Sequence, residues 1–240
     1  MDPNDLDGET VHRAYERWAP IYDTVWGAVF APARRAAAGA ACQVGGRVLE
    51  IGIGTGLSLE HYRGAPVELF GIDLSAGMLA KAQERASSGR YPELRQLQVM
   101  DAHLLGFEDR FFDCVVAQFV ITLVERPEEV LSECARVVRP GGEIILVNHF
   151  YSERGLTARI ERMAAARLRR LGLRPEFPLA RLERWARQDG RGELLERRKV
   201  GFGGTLVRFR RGPDVPSAGG RHPVSDKIVG HARGPSSPPA

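Results

Sequence analysis

An open α/β sheet, mostly parallel and with helices on both faces, is the fold class this sequence predicts. Three observations carry the prediction. A short apolar strand, Arg47–Ile51, runs straight into glycines at 52, 54 and 56. A second strand, Val67–Ile72, delivers Asp73 at its C-terminal end, 23 positions after Glu50. Further short apolar runs then alternate with helix-spaced segments, as βαβ units require.

The first of these stretches ends in a turn suited to a ligand. Glycines there let the backbone approach a bound molecule without Cβ atoms in the way. Leu57–Tyr62 reads as the opening of a helix whose N-terminus points at the same place. The dinucleotide fingerprint G-x-G-x-x-G would need a glycine at position 57, which is Leu57; the chain reads G-x-G-x-G instead. Asp73 then stands where a carboxylate accepts hydrogen bonds from both vicinal hydroxyls of a ribose. Ser75 suits the N-cap of a helix running to about Ala86.

The remaining elements follow in order. Residues 1–9 read as disordered. From Val11 onward, Val11, Tyr15 and Trp18 share one helical face, Pro20 ends or kinks that helix, and Tyr22, Trp26, Val29 and Phe30 repeat the pattern. Two readings of these aromatic faces stand side by side. They pack on the core, or they form a lid over the ligand and expose apolar surface to a membrane, where Trp and Tyr are at home. Arg34–Cys42 is an alanine-rich helix leading into strand one through Gly45 and Gly46.

Strand three is Leu94–Met100, with Asp101 at its tip, and strand four is Asp113–Phe119. Pro127 suits the first turn of a helix with Glu128 and Glu129 behind it and Arg136 and Arg139 at its far end. Pro140, Gly141 and Gly142 stop that helix, and Glu143–Asn148 is strand five. Asn148, His149, Phe150 and Tyr151 follow where an open α/β sheet presents its ligand crevice. Glu153–Leu171 is a basic amphipathic helix: Leu156, Ile160, Met163, Leu168 and Leu171 make a stripe edged by Arg154, Arg159, Arg162, Arg169 and Arg170. Such a helix is either a solvated face or one that lies in an anionic interface. Glu193–Val200 and Thr205–Arg210 complete the sheet as strands six and seven.

The organisation expected is an N-terminal amphipathic helical segment over 1–33, a main domain over 34–211, and a disordered Pro-, Gly- and Ser-rich tail over 212–240. No apolar run reaches the length of a membrane-spanning helix, and the acidic start MDPNDLDGET lacks the apolar region of a signal peptide. Cys42, Cys114 and Cys134 have no metal-ligand spacing and read as reduced thiols of a cytoplasmic protein. The six histidines are scattered, so no metal is expected. Between Glu153 and Arg211, 17 Arg and Lys face 7 Asp and Glu, a local excess of +10 that leaves −6 for the rest of the +4 chain. Charge segregated in this way marks a surface that meets an anionic partner.

LEIGIGTG (Leu49–Gly56), GIDLS (Gly71–Ser75), MDA (Met100–Ala102), FDCVVAQF (Phe112–Phe119) and RPGG (Arg139–Gly142) occur in the order found in class I S-adenosylmethionine-dependent methyltransferases, which the chain resembles over roughly residues 46–150. The resemblance implies a Rossmann-like, seven-stranded sheet with S-adenosylmethionine as methyl donor and S-adenosylhomocysteine as product. It places the Gly52, Gly54 and Gly56 turn at the methionine end of the cofactor, with Glu50 beneath it and Gln118 beside it. It places Asp73 on the ribose, and Leu74, Asp101 and Ala102 around the adenine.

A narrower resemblance, to the soluble bacterial phosphatidylethanolamine N-methyltransferases, rests on YERWAPIYDTVWG (Tyr15–Gly27), LEIGIGTGLSL and NHFYSE. It implies N-methylation of phosphatidylethanolamine and its mono- and dimethyl derivatives toward phosphatidylcholine, by a monomer held peripherally on the inner face of an anionic membrane. Aromatic faces suit a headgroup becoming a quaternary ammonium, and arginines suit its phosphate. Tyr15, Tyr22 and His149 are the expected catalytic residues on the substrate side, with Trp18, Trp26, Asn148 and Tyr151 binding substrate. Two alternatives stay open: a methyltransferase of quinones or other small molecules, and a cofactor-binding module without turnover. A nucleic-acid substrate is not expected, because the N/D-P-P-Y/F tetrapeptide of amino-directed enzymes is replaced by Gln118, Phe119, Val120 and Ile121.

Overall fold

The computed structural model of the chain describes residues 27–148, 178–188, 192–201 and 204–213. Tyr15, Trp18, Tyr22, Trp26, His149, Tyr151, the basic helix expected at 153–171 and all but the first two residues of the expected tail lie outside the described residues.

Seven strands form one sheet in the order β3-β2-β1-β4-β5-β7-β6. They are β1 (Gly46–Ile51), β2 (Val67–Asp73), β3 (Leu94–Val99), β4 (Phe112–Gln118), β5 (Val138–Asn148), β6 (Gly192–Val200) and β7 (Gly204–Arg211). The first five run parallel, and β7 is antiparallel to both β5 and β6. The strand order reverses between β1 and β4, so the crevice for a ligand lies at their C-terminal ends. Central β4 is almost wholly buried, which is why it reads as a continuous apolar run. Edge strands β3 and β6 carry exposed polar side chains that discourage further pairing.

Helices α1 (27–44), α2 (Ala76–Ala86), α3 (Pro127–Val137) and α4 (Leu179–Arg187) cover the sheet. Two apolar cores result. One gathers Leu49, Val115, Leu131, Leu182 and Trp185, and the other gathers Ala37, Ala41, Leu59, Tyr62 and Val116. α2 begins as its sequence predicts, with Ser75 Oγ accepting from the Met78 N–H at 3.3 Å. Pro127 opens α3 at a position whose N–H is not needed, and Glu128 and Glu129 complement the helix dipole.

Two expectations are corrected. Leu57–Tyr62 does not open an α-helix: it holds a single 3₁₀ turn, Leu59–His61. Gly64, with φ of +71°, and Pro66 end the segment before a longer helix can form. Arg139 does not end α3, because the helix stops at Val137 and β5 starts one residue later; Arg139 Nε instead donates to Asp113 Oδ1 at 2.6 Å. α1 spans residues 27–44 without a break. Finally, α4 was not anticipated. Leu179, Leu182, Trp185 and Ala186 bury one face, and Trp185 Nε1 donates to Ser132 Oγ of α3 at 3.2 Å.

Much of the basic segment that is described is internally paired. Arg181 forks onto Glu128, Arg208 onto Glu143 with a further bond to Glu196, and Arg187, Arg198 and Arg210 each meet a glutamate. No described helix is long and apolar enough to cross a membrane.

Candidate active site

A cavity of about 380 Å³ opens at the C-terminal ends of β1, β2 and β4. Its wall comprises the glycine turn, the tips of β2 and β3, residues Gln118–Val120, the segment Leu123–Arg126 and Arg34 from α1.

The glycine turn is stitched to the end of β2. The N–H groups of Gly52 and Ile53 both donate to the Ile72 carbonyl, at 2.8 and 3.0 Å. The Gly54 N–H donates to Asp73 Oδ2 and the Ser75 N–H to Asp73 Oδ1, each at 2.9 Å. Each carboxylate oxygen keeps acceptor capacity for one more partner. Burial pushes the Asp73 carboxyl above its ordinary range, against the pull of the Ser75, Gly54 and Leu74 amides.

The three glycines serve different ends, although all have positive φ. A Cβ on Gly52 would sit 2.2 Å from Val120 Cγ2. On Gly56 it would press 3.2 Å from Ala82 Cβ, on the side of α2 and off the cavity wall. On Gly54 it would meet nothing within 4 Å among the described residues, because Gly54 borders the open cavity.

Beneath the turn, Glu50 is 2% exposed and accepts from Gln118 Nε2 at 3.1 Å. Burial pushes its carboxyl up to about 7, opposed by the Ser58 and Tyr62 hydroxyls and by the nearby Arg34 cation. Gln118 Oε1 is buried on the wall with no partner among the described residues, an acceptor suited to a ligand N–H.

At the other end, Leu74 lies on the wall 59% exposed, a large apolar side chain left for a flat ligand to cover. Ala102 lines the same region, and Asp101 is locked beside it: Oδ1 accepts from the His103 N–H at 2.9 Å and pairs with His103 Nδ1 at 2.7 Å. Burial raises the Asp101 carboxyl, but the two His103 bonds outweigh it and hold the group below the usual range. His103 Nε2 is buried without a partner among the described residues.

Of the residues anticipated from sequence, Glu50, Gly52, Gly54, Asp73, Leu74, Asp101, Ala102 and Gln118 come together on this one wall. Gly56 and Asn148 do not: Gly56 faces α2, and Asn148 is fully buried off the cavity, its Oδ1 accepting from Thr122 Oγ1 at 3.2 Å. The aromatic stretch is described only at its end, where Phe30 packs inward on Phe119 while Val29 is 39% exposed. Sequence reasoning missed Arg34, Ser58, His103 and Phe119, which tertiary folding brings to the wall; only His103, two residues after Asp101, had a local signal. Among the described residues no group of three or more His, Cys, Asp or Glu is placed to hold a metal.

These features fit S-adenosylmethionine: a diol acceptor, an apolar flank for a base, an open glycine turn, and a carboxylate beneath the cationic end. Fold and cavity together are those of a class I S-adenosylmethionine-dependent methyltransferase. The family described as Methyltransferase domain matches residues 49–146. A chain of the solved complex titled "Complex between the Haloferax volcanii Trm112 methyltransferase activator and the putative methyltransferase" superposes with a TM-score of 0.70 at 18% identity, covering 86% of this chain and all of that one. The [4+2]-cyclase SpnF superposes with a TM-score of 0.69 at 19% identity, covering 87% and 98% of the two chains, so the fold by itself does not specify a reaction.

Sequence similarity is more discriminating. A phosphatidylethanolamine N-methyltransferase of Cereibacter sphaeroides is 42% identical over 208 residues, 86% of this chain and the whole of that protein. The chain belongs to the phosphatidylethanolamine N-methyltransferase family. A demethylmenaquinone methyltransferase of Renibacterium salmoninarum is 35% identical over 102 residues, 42% of this chain and 40% of that protein.

Proposed function

We propose that the chain transfers methyl groups from S-adenosylmethionine to the amine of phosphatidylethanolamine, and to its mono- and dimethyl derivatives, at the surface of an anionic membrane. The observation that carries this reading is the extent of similarity. Identity of 42% runs through the whole of the Cereibacter protein, whereas the demethylmenaquinone enzyme matches over 102 residues, about the length of the methyltransferase domain alone.

S-adenosylmethionine supplies a methyl group on a sulfonium; the C–N bond forms as the C–S bond breaks with its electron pair going to sulfur, leaving S-adenosylhomocysteine. The protein has to align the reactants and exclude water. Asp73 holds the ribose diol through its remaining lone pairs, with its oxygens fixed by the Gly54 and Ser75 amides. Leu74 and Ala102 flank the adenine, and Asp101 accepts from its exocyclic amine. Gly52 and Gly54 let the methionine portion approach the backbone, above Glu50 and Gln118.

On the substrate side the attacking amine has to be neutral, and aromatic surroundings favour that form by desolvating its charge. Tyr15, Tyr22 and His149 are the candidates to take its proton; Trp18, Trp26 and Tyr151 are the candidates to enclose the headgroup. Asn148 belongs to the same expected set, its Oδ1 accepting from Thr122 Oγ1 behind the wall. The enzyme works as a monomer on the cytoplasmic face, drawn to anionic lipid, with a lipid and not a nucleic acid as its acceptor.

The test is to incubate the protein with labelled S-adenosylmethionine and vesicles containing phosphatidylethanolamine, and to identify the lipids by mass. Mono-, di- and trimethylated lipids are expected. Normal cofactor binding with no labelled lipid at any anionic lipid content overturns the assignment.

A further inference from the structure

Phe119 has a φ of +59°, a left-handed conformation that is a genuine outlier for a bulky aromatic residue. The backbone alone would favour glycine there. Tertiary structure holds the conformation: the Phe119 N–H donates to the Val147 carbonyl at 2.7 Å, and the ring packs on Phe30 of α1 with centroids 4.4 Å apart. Strain of this kind, fixed from two sides, collects at functional positions.

The neighbours of Phe119 fix where it stands. Gln118 before it binds Glu50 beneath the glycine turn, and Val120 after it lies against Gly52. Phe119 is therefore at the glycine-turn end of the cavity, away from Leu74 and Asp101. Among the described residues it is the one Phe, Tyr or Trp on the cavity wall.

We propose that the Phe119 ring is a specificity-determining surface for onium cations, holding the positive charge that the reaction carries from sulfur to nitrogen. This rests on reading the cavity as the S-adenosylmethionine site. When the C–S electron pair goes to sulfur and the nitrogen lone pair forms the new bond, the cation moves from donor to acceptor without leaving the site. The negative face of an aromatic ring attracts both a sulfonium and a methylated ammonium, and does so more strongly away from water. Glu50 beneath the turn adds a charge that is only partly ionised near neutrality, whereas a ring is attractive at every pH.

The test replaces Phe119 in the full chain by phenylalanines bearing one, two and three ring fluorines, which keep the shape and progressively weaken the negative face. Calorimetry then gives Kd for S-adenosylmethionine against S-adenosylhomocysteine, which differ at the sulfonium. A second arm gives Kd, with S-adenosylhomocysteine present, for phosphocholine against its isostere in which a tert-butyl group replaces the trimethylammonium. The preference for the charged ligand is expected to fall stepwise, by roughly tenfold at three fluorines, and Phe119→Leu to lose as much. A fall in the first arm assigns the ring to the donor cation, and a fall in the second to the product cation. Both ratios unchanged along the series, with Phe119→Leu lowering only Tm, overturns the proposal and leaves a packing role. If the parent protein binds neither adenosyl ligand, the reading of the cavity fails and the proposal falls with it.

Discussion

The main-chain N–H of Gly54 donates to Asp73 Oδ2 at 2.9 Å, so the middle glycine of the turn and the acid that ends β2 form one unit. Because Oδ1 takes the Ser75 N–H, neither oxygen can become an NH₂ group without setting donor against donor. Asp73→Asn is expected to weaken S-adenosylmethionine binding by roughly 100-fold, through loss of charge-assisted bonds to the ribose and misplacement of the turn. Calorimetric titration of the variant measures this.

Gly54 and Gly56 separate binding from folding. Both have positive φ, so alanine at either is strained by about 1–2 kcal/mol. At Gly54 the new methyl borders the open cavity; at Gly56 it presses on Ala82 and Leu59. Gly54→Ala is expected to lose more cofactor affinity than Gly56→Ala, and Gly56→Ala more stability than Gly54→Ala. Urea unfolding and ligand titration of the two variants, run side by side, check the crossing of effects.

Glu50 makes the stability of the ligand-free protein depend on pH. Its carboxyl is raised by burial from 4.5 to about 7, so in that window the folded chain holds a proton that the unfolded chain has released. Stability from this group is therefore present below pH 4.5, falls as pH rises and levels off above pH 7, a change of roughly 3 kcal/mol. Glu50→Gln should remove that slope. A cationic ligand above Glu50 favours the carboxylate, so binding near pH 7 is expected to release part of a proton, read from heats in buffers of different ionisation enthalpy.

The fold was legible where local chemistry and tertiary packing agree. The first two strands and the Ser75 cap are placed to within a residue or two, because buried central strands and capped helices announce themselves locally. The expected helix after Gly56 shrank to one 3₁₀ turn, since Gly64 and Pro66 cut it short before its apolar residues could extend it. α4 went unseen because its arginines read as part of a basic surface, although Leu179, Leu182, Trp185 and Ala186 recur at helical spacing. At the site, the residues on strand tips were readable. Arg34, Ser58 and Phe119 were not, because only the packing of α1 and the crossing of residues 118–120 over the turn bring them to the wall.

Arg208 tests the remote half of the sheet. It forks onto Glu143 with bonds of 2.9 and 3.1 Å, and both side chains are largely buried, at 19% and 13% exposed. Arg208→Met leaves Glu143 uncompensated and is expected to cost about 3 kcal/mol. Neither residue lines the cavity, so the folded variant should keep its cofactor affinity. Denaturant unfolding with a parallel titration gives both numbers.

The most direct measurement is a competition inside one vesicle. Phosphatidylethanolamine and a demethylated quinol are mixed at equal content, labelled S-adenosylmethionine is added with the protein, and the products are separated by mass. The account predicts label on the ethanolamine nitrogen and none on the quinol ring, with Asp73→Asn slowing the reaction. Label on the quinol and none on the lipid would contradict it.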